Sequence, residues 1–172
     1  VEKRPARDLR MEALGKLLDR SVPLLVTVHR QQDVLAALRL AEEFKLRLVL
    51  DGVSDAPQVL AEVQRSGFPV VLHPSMWRPF REAQHLSLET AARVQAAGIP
   101  FALQSGFESY VPKTRVVLFE AALAAGRGLG FDMALASVTT DAAKILGIAD
   151  RTGSLEKGKD ADLALYDADP FE

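Results

Sequence analysis

The sequence predicts a parallel α/β fold, and two observations carry that prediction. Short apolar runs of strand length alternate with longer segments whose apolar residues recur near the helical period of 3.6 residues. The apolar runs are almost unbroken, which is typical of parallel strands that are buried on both faces. The chain has 172 residues, of which 48% are apolar. That is enough chain for one domain with a sizeable core.

The first half of the chain alternates helices and strands in order. Apolar residues on one face predict helices over residues 8–19 and 32–44, and continuous apolar runs predict strands over 23–28 and 46–50. A third helix is predicted over 56–65. Ser54 or Asp55 is expected to cap this helix at its start, and Gly67 to end it.

The alternation continues to residue 146. Strands are predicted over 69–72 and 100–103, and helices over 87–97, 113–125 and 131–146. The longest connection, residues 75–84, carries the only tryptophan, Trp77. We interpret it as a surface loop anchored by Trp77 and Phe80, with the wall of a pocket as the alternative.

The pattern changes after residue 148. Residues 153–159 are rich in turn formers, and residues 162–166 have the composition of a short strand. The tail is therefore predicted to contribute to a separate, small β layer.

Composition excludes several classes of protein. With 21 basic and 23 acidic residues and a net charge of −2, the chain lacks the basic excess of a nucleic-acid binder. No apolar run approaches the ~20 residues of a membrane span. The absence of cysteine leaves histidine and carboxylates as metal ligands. Residues 1–5 lack both a starting Met and a signal core, so the chain is expected to begin within a longer protein, and its compartment is not indicated.

Four polar residues follow the predicted strands. In parallel β/α folds, catalytic and binding groups gather at the carboxyl ends of the strands. Those positions hold His29, Asp51, His73 and Ser105. Because two imidazoles and a carboxylate can bind a divalent metal, we predict His29, Asp51 and His73 as metal ligands. Such a metal would lower the pKa of a bound water and make it a nucleophile.

Two segments near the end of the chain carry a family resemblance. Residues 153–163, Gly-Ser-Leu-Glu-Lys-Gly-Lys-Asp-Ala-Asp-Leu, and residues 142–147 resemble the C-terminal signature of the amidohydrolase superfamily. Residues 23–44 resemble the imidazolonepropionase-like members. The resemblance implies that residues 1–148 are the C-terminal half of a TIM (β/α)8 barrel, strands five to eight. It implies that residues 149–172 are a piece of a composite β-sandwich.

The resemblance also implies a chemistry, with departures at key positions. The family hydrolyses C–N bonds with bound zinc or iron, and His29 matches its strand-five histidine. Asp51 stands where the strand-six histidine is expected, and Gly106 where the strand-eight aspartate is expected. No catalytic residue is therefore assigned, although Glu108 is considered as a substitute base. Trp77 and Arg78 are expected to contact a small-molecule substrate.

Four strands cannot close a barrel, so a partner is expected. In order of preference, it is a first half of the same polypeptide, a first half on another chain, or a second copy in a homodimer. A rival hypothesis is a degenerate, non-catalytic amidohydrolase domain that binds or scaffolds a partner. A free-standing flavodoxin-like domain suits the length but does not explain the tail.

Overall fold

A four-stranded parallel sheet lies at the centre of the protein. The computed structural model describes residues 7–108, 111–112 and 114–171. The sheet has the order β1-β2-β3-β4, and its strands are β1 (Leu24–Val28), β2 (Leu48–Gly52), β3 (Val70–Leu72) and β4 (Phe101–Leu103). The spatial order follows the chain without the reversal that defines the switch point of a flavodoxin-like sheet, so that alternative is not supported.

Helices connect and flank these strands. They are α1 (Leu9–Leu18), α2 (Gln31–Glu43), α3 (Leu60–Ser66), α4 (Thr90–Ala96), α5 (Val117–Ala124), α6 (Phe131–Val138) and α7 (Thr140–Leu146). Their start signals are partly visible in the sequence. Asp8 caps α1 by accepting hydrogen bonds from the backbone N–H groups of Arg10 and Met11. Gly67 ends α3 with a left-handed φ of 68°.

The core lies between the helices and one face of the sheet. Leu50, Val70 and Leu72 point into it and are almost completely buried, and Val34 of α2 and Val94 of α4 cover them. Strand residues alternate between faces. On the opposite face of β1, Leu25 remains 60% exposed. The sheet therefore has one face covered by helices and one face that is open at β1.

Two predicted helices differ from the observed ones. The helix predicted over 56–65 is divided into a 3₁₀ turn, Ala56–Gln58, and α3. Neither Ser54 nor Asp55 caps it, because both side chains are buried and hydrogen bonded elsewhere. The helix predicted over 131–146 is interrupted at Thr139, whose φ of −126° and ψ of −94° are not helical.

The tail does not form its predicted strand. Residues 162–166 have no strand conformation. A strand needs a partner for its backbone groups, and the side chain of Leu165 is fully exposed.

A short antiparallel pair, β5 (Phe107–Glu108) and β6 (Val111–Pro112), was not predicted. The division into residues 1–148 and 149–172 stays a prediction. Within the described residues, every helix is too short or too polar to cross a membrane.

Candidate functional site

The carboxyl ends of the four strands meet at one edge of the sheet. His29 directly follows β1, His73 follows β3, and Gln104 follows β4. Asp51 is the penultimate residue of β2, and the register pairs it with Thr27 of β1. Because all four strands are parallel, these polar groups share the edge at which β/α proteins bind ligands.

The imidazole of His29 is held on three sides. Its Nδ1 is hydrogen bonded to the fully buried Oγ of Ser54 at 2.9 Å. Its ring packs against Gly52, where an added Cβ would lie 2.5 Å from Cε1 of His29. The ring of Trp77 lies on another side, with 6.0 Å between the ring centroids. Gly52 also has a φ of +87°, so only glycine suits this position. The ring is thus positioned before any ligand binds.

His73 is buried, with one ring nitrogen unpartnered. Nδ1 lies 3.2 Å from the carbonyl oxygen of Pro74, and a carbonyl only accepts, so Nδ1 carries the hydrogen. Nε2 is buried and has no hydrogen-bond partner among the described residues. An unsatisfied buried group of this kind costs about 1–3 kcal/mol. Burial lowers the pKa of His73, and the charge of nearby His29 lowers it further, so His73 favours the neutral form.

Asp51 is already engaged by two neighbours. Its Oδ2 accepts a hydrogen bond from Thr27 Oγ1 at 2.7 Å, and its Oδ1 accepts one from Gln104 Nε2 at 2.6 Å. In the part of the chain that the structure describes, no three His, Asp or Glu side chains assemble as a metal-binding group. His29, Asp51 and His73 are therefore not brought together as one three-ligand centre by these residues alone.

Position 106 has no room for a side chain. Gly106 has a φ of +72°, and an added Cβ would lie 2.5 Å from Cγ of Pro74 and 2.9 Å from Nε1 of Trp77. An aspartate would therefore displace the segment that follows β3. The family resemblance implies a carboxylate at this position, but Pro74 and Trp77 fill the space that its side chain would occupy. The side chain of Glu108, considered as a substitute, lies outside the described part of the chain.

The connection over residues 75–84 forms the wall of a cavity. The cavity has a volume of ≈ 630 Å³, and its lining includes His29, Trp77 and Arg78. Phe80 does not anchor the connection, since it is 66% exposed. The structure therefore favours the pocket-wall alternative over the surface-loop interpretation.

A buried carboxylate on α5 fixes the start of this wall. Glu120 is 1% exposed, and its Oε2 accepts hydrogen bonds from the backbone N–H groups of Ser75 at 2.6 Å and Met76 at 3.2 Å. Charge-assisted bonds of this kind are stronger than neutral ones. Glu120 thus joins α5 to the segment that carries Trp77, a role that the sequence did not reveal.

The other end of the wall is held by an Asp–His pair. Asp55 is buried, and its Oδ1 lies 2.7 Å from Nδ1 of the half-exposed His85. Its Oδ2 accepts a hydrogen bond from the backbone N–H of Gln31, the first residue of α2. Asp55 therefore links the start of α2 to the end of the wall, whereas the sequence suggested a helix cap.

His29 and His73 suit a divalent metal better than Asp51 and position 106 do. Imidazoles that bind metals commonly have the second ring nitrogen fixed by a hydrogen bond. His29 and His73 have this arrangement, and the unpartnered Nε2 of His73 suits a metal. Asp51 is engaged and position 106 is filled. The described residues thus fit two ligands of a metal and not a complete set.

Comparison with known proteins points to one family. Residues 114–172 match the model of the amidohydrolase family. An imidazolonepropionase from Brucella anthropi is 36% identical over 106 residues, which is 61% of this chain and 25% of that protein. An amidohydrolase from Hapsidospora irregularis is 28% identical over 95% of this chain and 17% of its own length. The chain spans about a quarter or less of the curated relatives described here.

Solved structures agree with the sequence matches. An amidohydrolase from Thermotoga maritima is 33% identical with a TM-score of 0.91, over 99% of this chain and 44% of its own. A zinc-bound adenosine deaminase from Xanthomonas campestris, 23% identical, matches in fold alone, with a TM-score of 0.60 over 89% of this chain and 38% of its own. The parallel sheet and the matches to known proteins together define an α/β protein of a hydrolase family. The chain belongs to the amidohydrolase superfamily, and within it is imidazolonepropionase-like.

Proposed function

We propose that this chain is the C-terminal half of a metal-dependent hydrolase that cleaves C–N bonds in small cyclic or linear amides. The observation that carries the proposal is the pair His29 and His73 at the carboxyl edge of the sheet. Both have Nδ1 hydrogen bonded, and the Nε2 of His73 is buried without a partner. Histidines prepared in this way suit a ligand rather than a purely structural role.

His29 and His73 would hold a divalent metal, zinc or iron, through their Nε2 atoms. When bound, the metal would lower the pKa of a water molecule and polarise the substrate carbonyl. Gly52 and Ser54 fix the His29 ring, so the ring loses little conformational freedom when a ligand binds. Trp77 and Arg78 line the adjoining cavity, where they would contact the substrate and exclude water.

The proposal requires a partner segment. The open face at β1 and the two-ligand site both call for residues outside this chain. A preceding segment of the same polypeptide is the preferred source, because this chain spans only 44% of the Thermotoga maritima amidohydrolase. A separate chain and a homodimer remain the other two sources.

A direct test uses the natural polypeptide that contains this chain. Its zinc and iron content is measured, and hydrolysis of hydantoin and N-acetylglycine is assayed before and after chelation. We expect bound metal and chelator-sensitive turnover, both reduced in His29→Asn and His73→Asn but not in the control Arg65→Gln, which changes an exposed side chain of α3. Turnover that survives chelation, or metal content unchanged in both variants, would contradict the proposal.

A second candidate is a non-catalytic amidohydrolase domain that binds or scaffolds a partner. It is favoured by position 106, where Pro74 and Trp77 occupy the space that a catalytic aspartate would need. Loss of such a base removes most catalysis in enzymes that depend on it. Under this candidate the natural polypeptide shows neither bound metal nor turnover, yet retains a stable fold.

A further inference from the structure

A second cavity lies at the amino edge of the sheet, the end opposite to the histidines. It is formed between α2, α3 and the segments that lead into β2 and β3, and it has a volume of ≈ 700 Å³. Its apolar lining is buried or half-buried and consists of Leu35, Leu38, Ala41, Leu46 and Phe68. A cavity of this size with an apolar lining suits a small molecule.

The polar lining of this cavity carries an excess of positive charge. It includes one ion pair, Glu62 with Arg65 at 3.8 Å, which adds no net charge. The other charged lining residues are three cations and one carboxylate, namely Arg20, Arg39, Lys45 and Glu42. Among the described residues no carboxylate forms an ion pair with these three cations. The chain as a whole has a net charge of −2, so positive charge is concentrated at this cavity.

A smaller cavity adjoins the first and extends its positive charge. The two share Arg20, Leu46 and Phe68, and the second, of ≈ 380 Å³, is lined in addition by Arg47 and by no carboxylate. Nη1 of Arg47 donates a hydrogen bond to the carbonyl oxygen of Arg20 at 3.3 Å, which keeps Arg47 beside a residue of the same charge. Because like charges repel, an anion bound here would stabilise this arrangement.

Two of the cations occupy strained backbone positions. Arg20 follows the last turn of α1 with a φ of +65°, and Lys45 follows that of α2 with a φ of +51°. Helices commonly end with a left-handed residue at this position, and glycine adopts that conformation at the least cost. A long cationic side chain in place of glycine at both positions favours a role for the side chain.

We infer that this cavity binds a small amphipathic anion, an oxyanion group carried on an apolar chain. Arg20 and Lys45 bind the oxyanion, while Leu46 and Phe68 contact the apolar chain. A compact inorganic anion leaves the apolar lining uncovered, and a neutral apolar molecule leaves the cations unpaired. The site lies at the other end of the sheet from the cavity beside His29, so the inference does not depend on the proposed hydrolysis.

The test measures binding to the natural polypeptide that contains this chain. With a chelator present, calorimetric titration compares octanoate and octyl phosphate with acetate, which lacks the apolar chain, and with 1-octanol, which lacks the charge. We expect the tighter octyl anion to exceed acetate and octanol by about tenfold or more. A hydrogen bond to a charged group contributes about a tenfold factor, and each buried methylene about a fourfold one. The tighter anion identifies the oxyanion, whereas acetate or octanol binding equally well, or no saturation with either octyl anion, would overturn the inference.

Matched variants locate the binding site. Arg20→Gln and Lys45→Gln are each expected to weaken binding of the octyl anion about tenfold. Arg93→Gln, which changes an exposed arginine paired with Glu89 on α4, should leave it unchanged. Arg78→Gln should also leave it unchanged, because Arg78 lines the cavity beside His29. Unchanged affinity in both Arg20→Gln and Lys45→Gln, an equal loss in Arg93→Gln, or a loss in Arg78→Gln alone would overturn the inference.

Discussion

Ser54 Oγ lies 2.9 Å from Nδ1 of His29, although the two residues are 25 positions apart in the sequence. Ser54 is completely buried. Ser54 follows β2 and His29 follows β1, so the bond joins the ends of two neighbouring strands. Removal of this hydrogen bond should change the orientation of the His29 imidazole more than the stability of the fold.

Ser54→Ala is expected to lower the free energy of unfolding by about 0.5–1.5 kcal/mol, the net contribution of a typical hydrogen bond. If His29 binds metal, the affinity should fall about 10–100-fold, as for other residues that orient metal ligands. Chemical denaturation and metal titration measure the two effects. Ser66→Ala, which removes a hydroxyl bonded to the carbonyl of Val63, is the control. An equal effect of both variants on metal affinity would contradict the positioning role of Ser54.

Gly52→Ala tests the close packing of His29 on the backbone. Gly52 and Gly67 both have a positive φ, +87° and +68°, but only at Gly52 would a Cβ meet another group, 2.5 Å from His29 Cε1. Gly67→Ala should cost about 1–2 kcal/mol, the strain of a left-handed residue. Gly52→Ala should cost more and shift the NMR signals of the His29 ring. If the two substitutions cost the same, the ring is not constrained by Gly52.

Gly106→Asp asks whether the carboxylate implied by the family can be restored. We expect destabilisation and a changed Trp77 emission spectrum, without an additional bound metal, because Pro74 and Trp77 occupy the space. Gly98→Asp is the matched control, since its φ is +69° and nothing lies within 4 Å of an added Cβ. A stable Gly106→Asp protein that gains metal would show that the segment after β3 moves aside easily.

The buried His73 predicts a pH dependence of stability. Burial and the His29 charge lower its pKa in the folded protein, while the unfolded chain titrates at about 6.5. The unfolded state thus binds more protons below that pH. The stability associated with neutral His73 is fully present above about pH 6.5 and is lost as the pH falls below it. In a chelator-containing buffer, His73→Gln should flatten the decline of the unfolding free energy below pH 6.5. An unchanged slope would show that His73 does not control it.

Glu120→Gln tests the attachment of the cavity wall. The substitution keeps the shape but removes the charge that accepts hydrogen bonds from Ser75 and Met76. Trypsin should then cleave after Arg81 faster than in the parent protein, because the wall opens more often. Glu89→Gln, which affects only an exposed pair with Arg93, should leave the cleavage rate unchanged. A similar rate in both variants would mean that other contacts hold the wall.

The order of elements was predictable because it depends on local patterns. The apolar runs around Val26, Leu50 and Val71 and the helical period around Val34 are visible in short windows, and all became the expected elements. The strand-like residues 162–166 show the limit of such patterns. Their composition favours a strand, but a strand also needs a partner, which local sequence does not report.

The site was predictable only in part. His29 and His73 follow strands, so the fold class alone placed them at one edge. Glu120 lies 45 residues from Ser75, and Asp55 lies 30 residues from His85. Contacts at such separations leave no local signal, which is why the sequence does not reveal the contacts of Glu120 and His85. One sign was available at Gly52, since a glycine at the end of a strand often marks a close approach by another group.

The two hydrogen bonds of Asp51 also affect how the sheet resists force. Adjacent strands lie about 4.8 Å apart, so the backbones of β2 and β4 are separated by about twice that distance with β3 between them. The bond from Gln104 to Asp51 crosses over β3, and the bond from Thr27 to Asp51 extends the connection to β1. Three strands are thus cross-linked by side chains at their carboxyl edge, independently of the backbone ladder. Pulling the sheet apart from that edge would have to break the bridge first, so the end of the sheet that carries the site should resist force better than the opposite end.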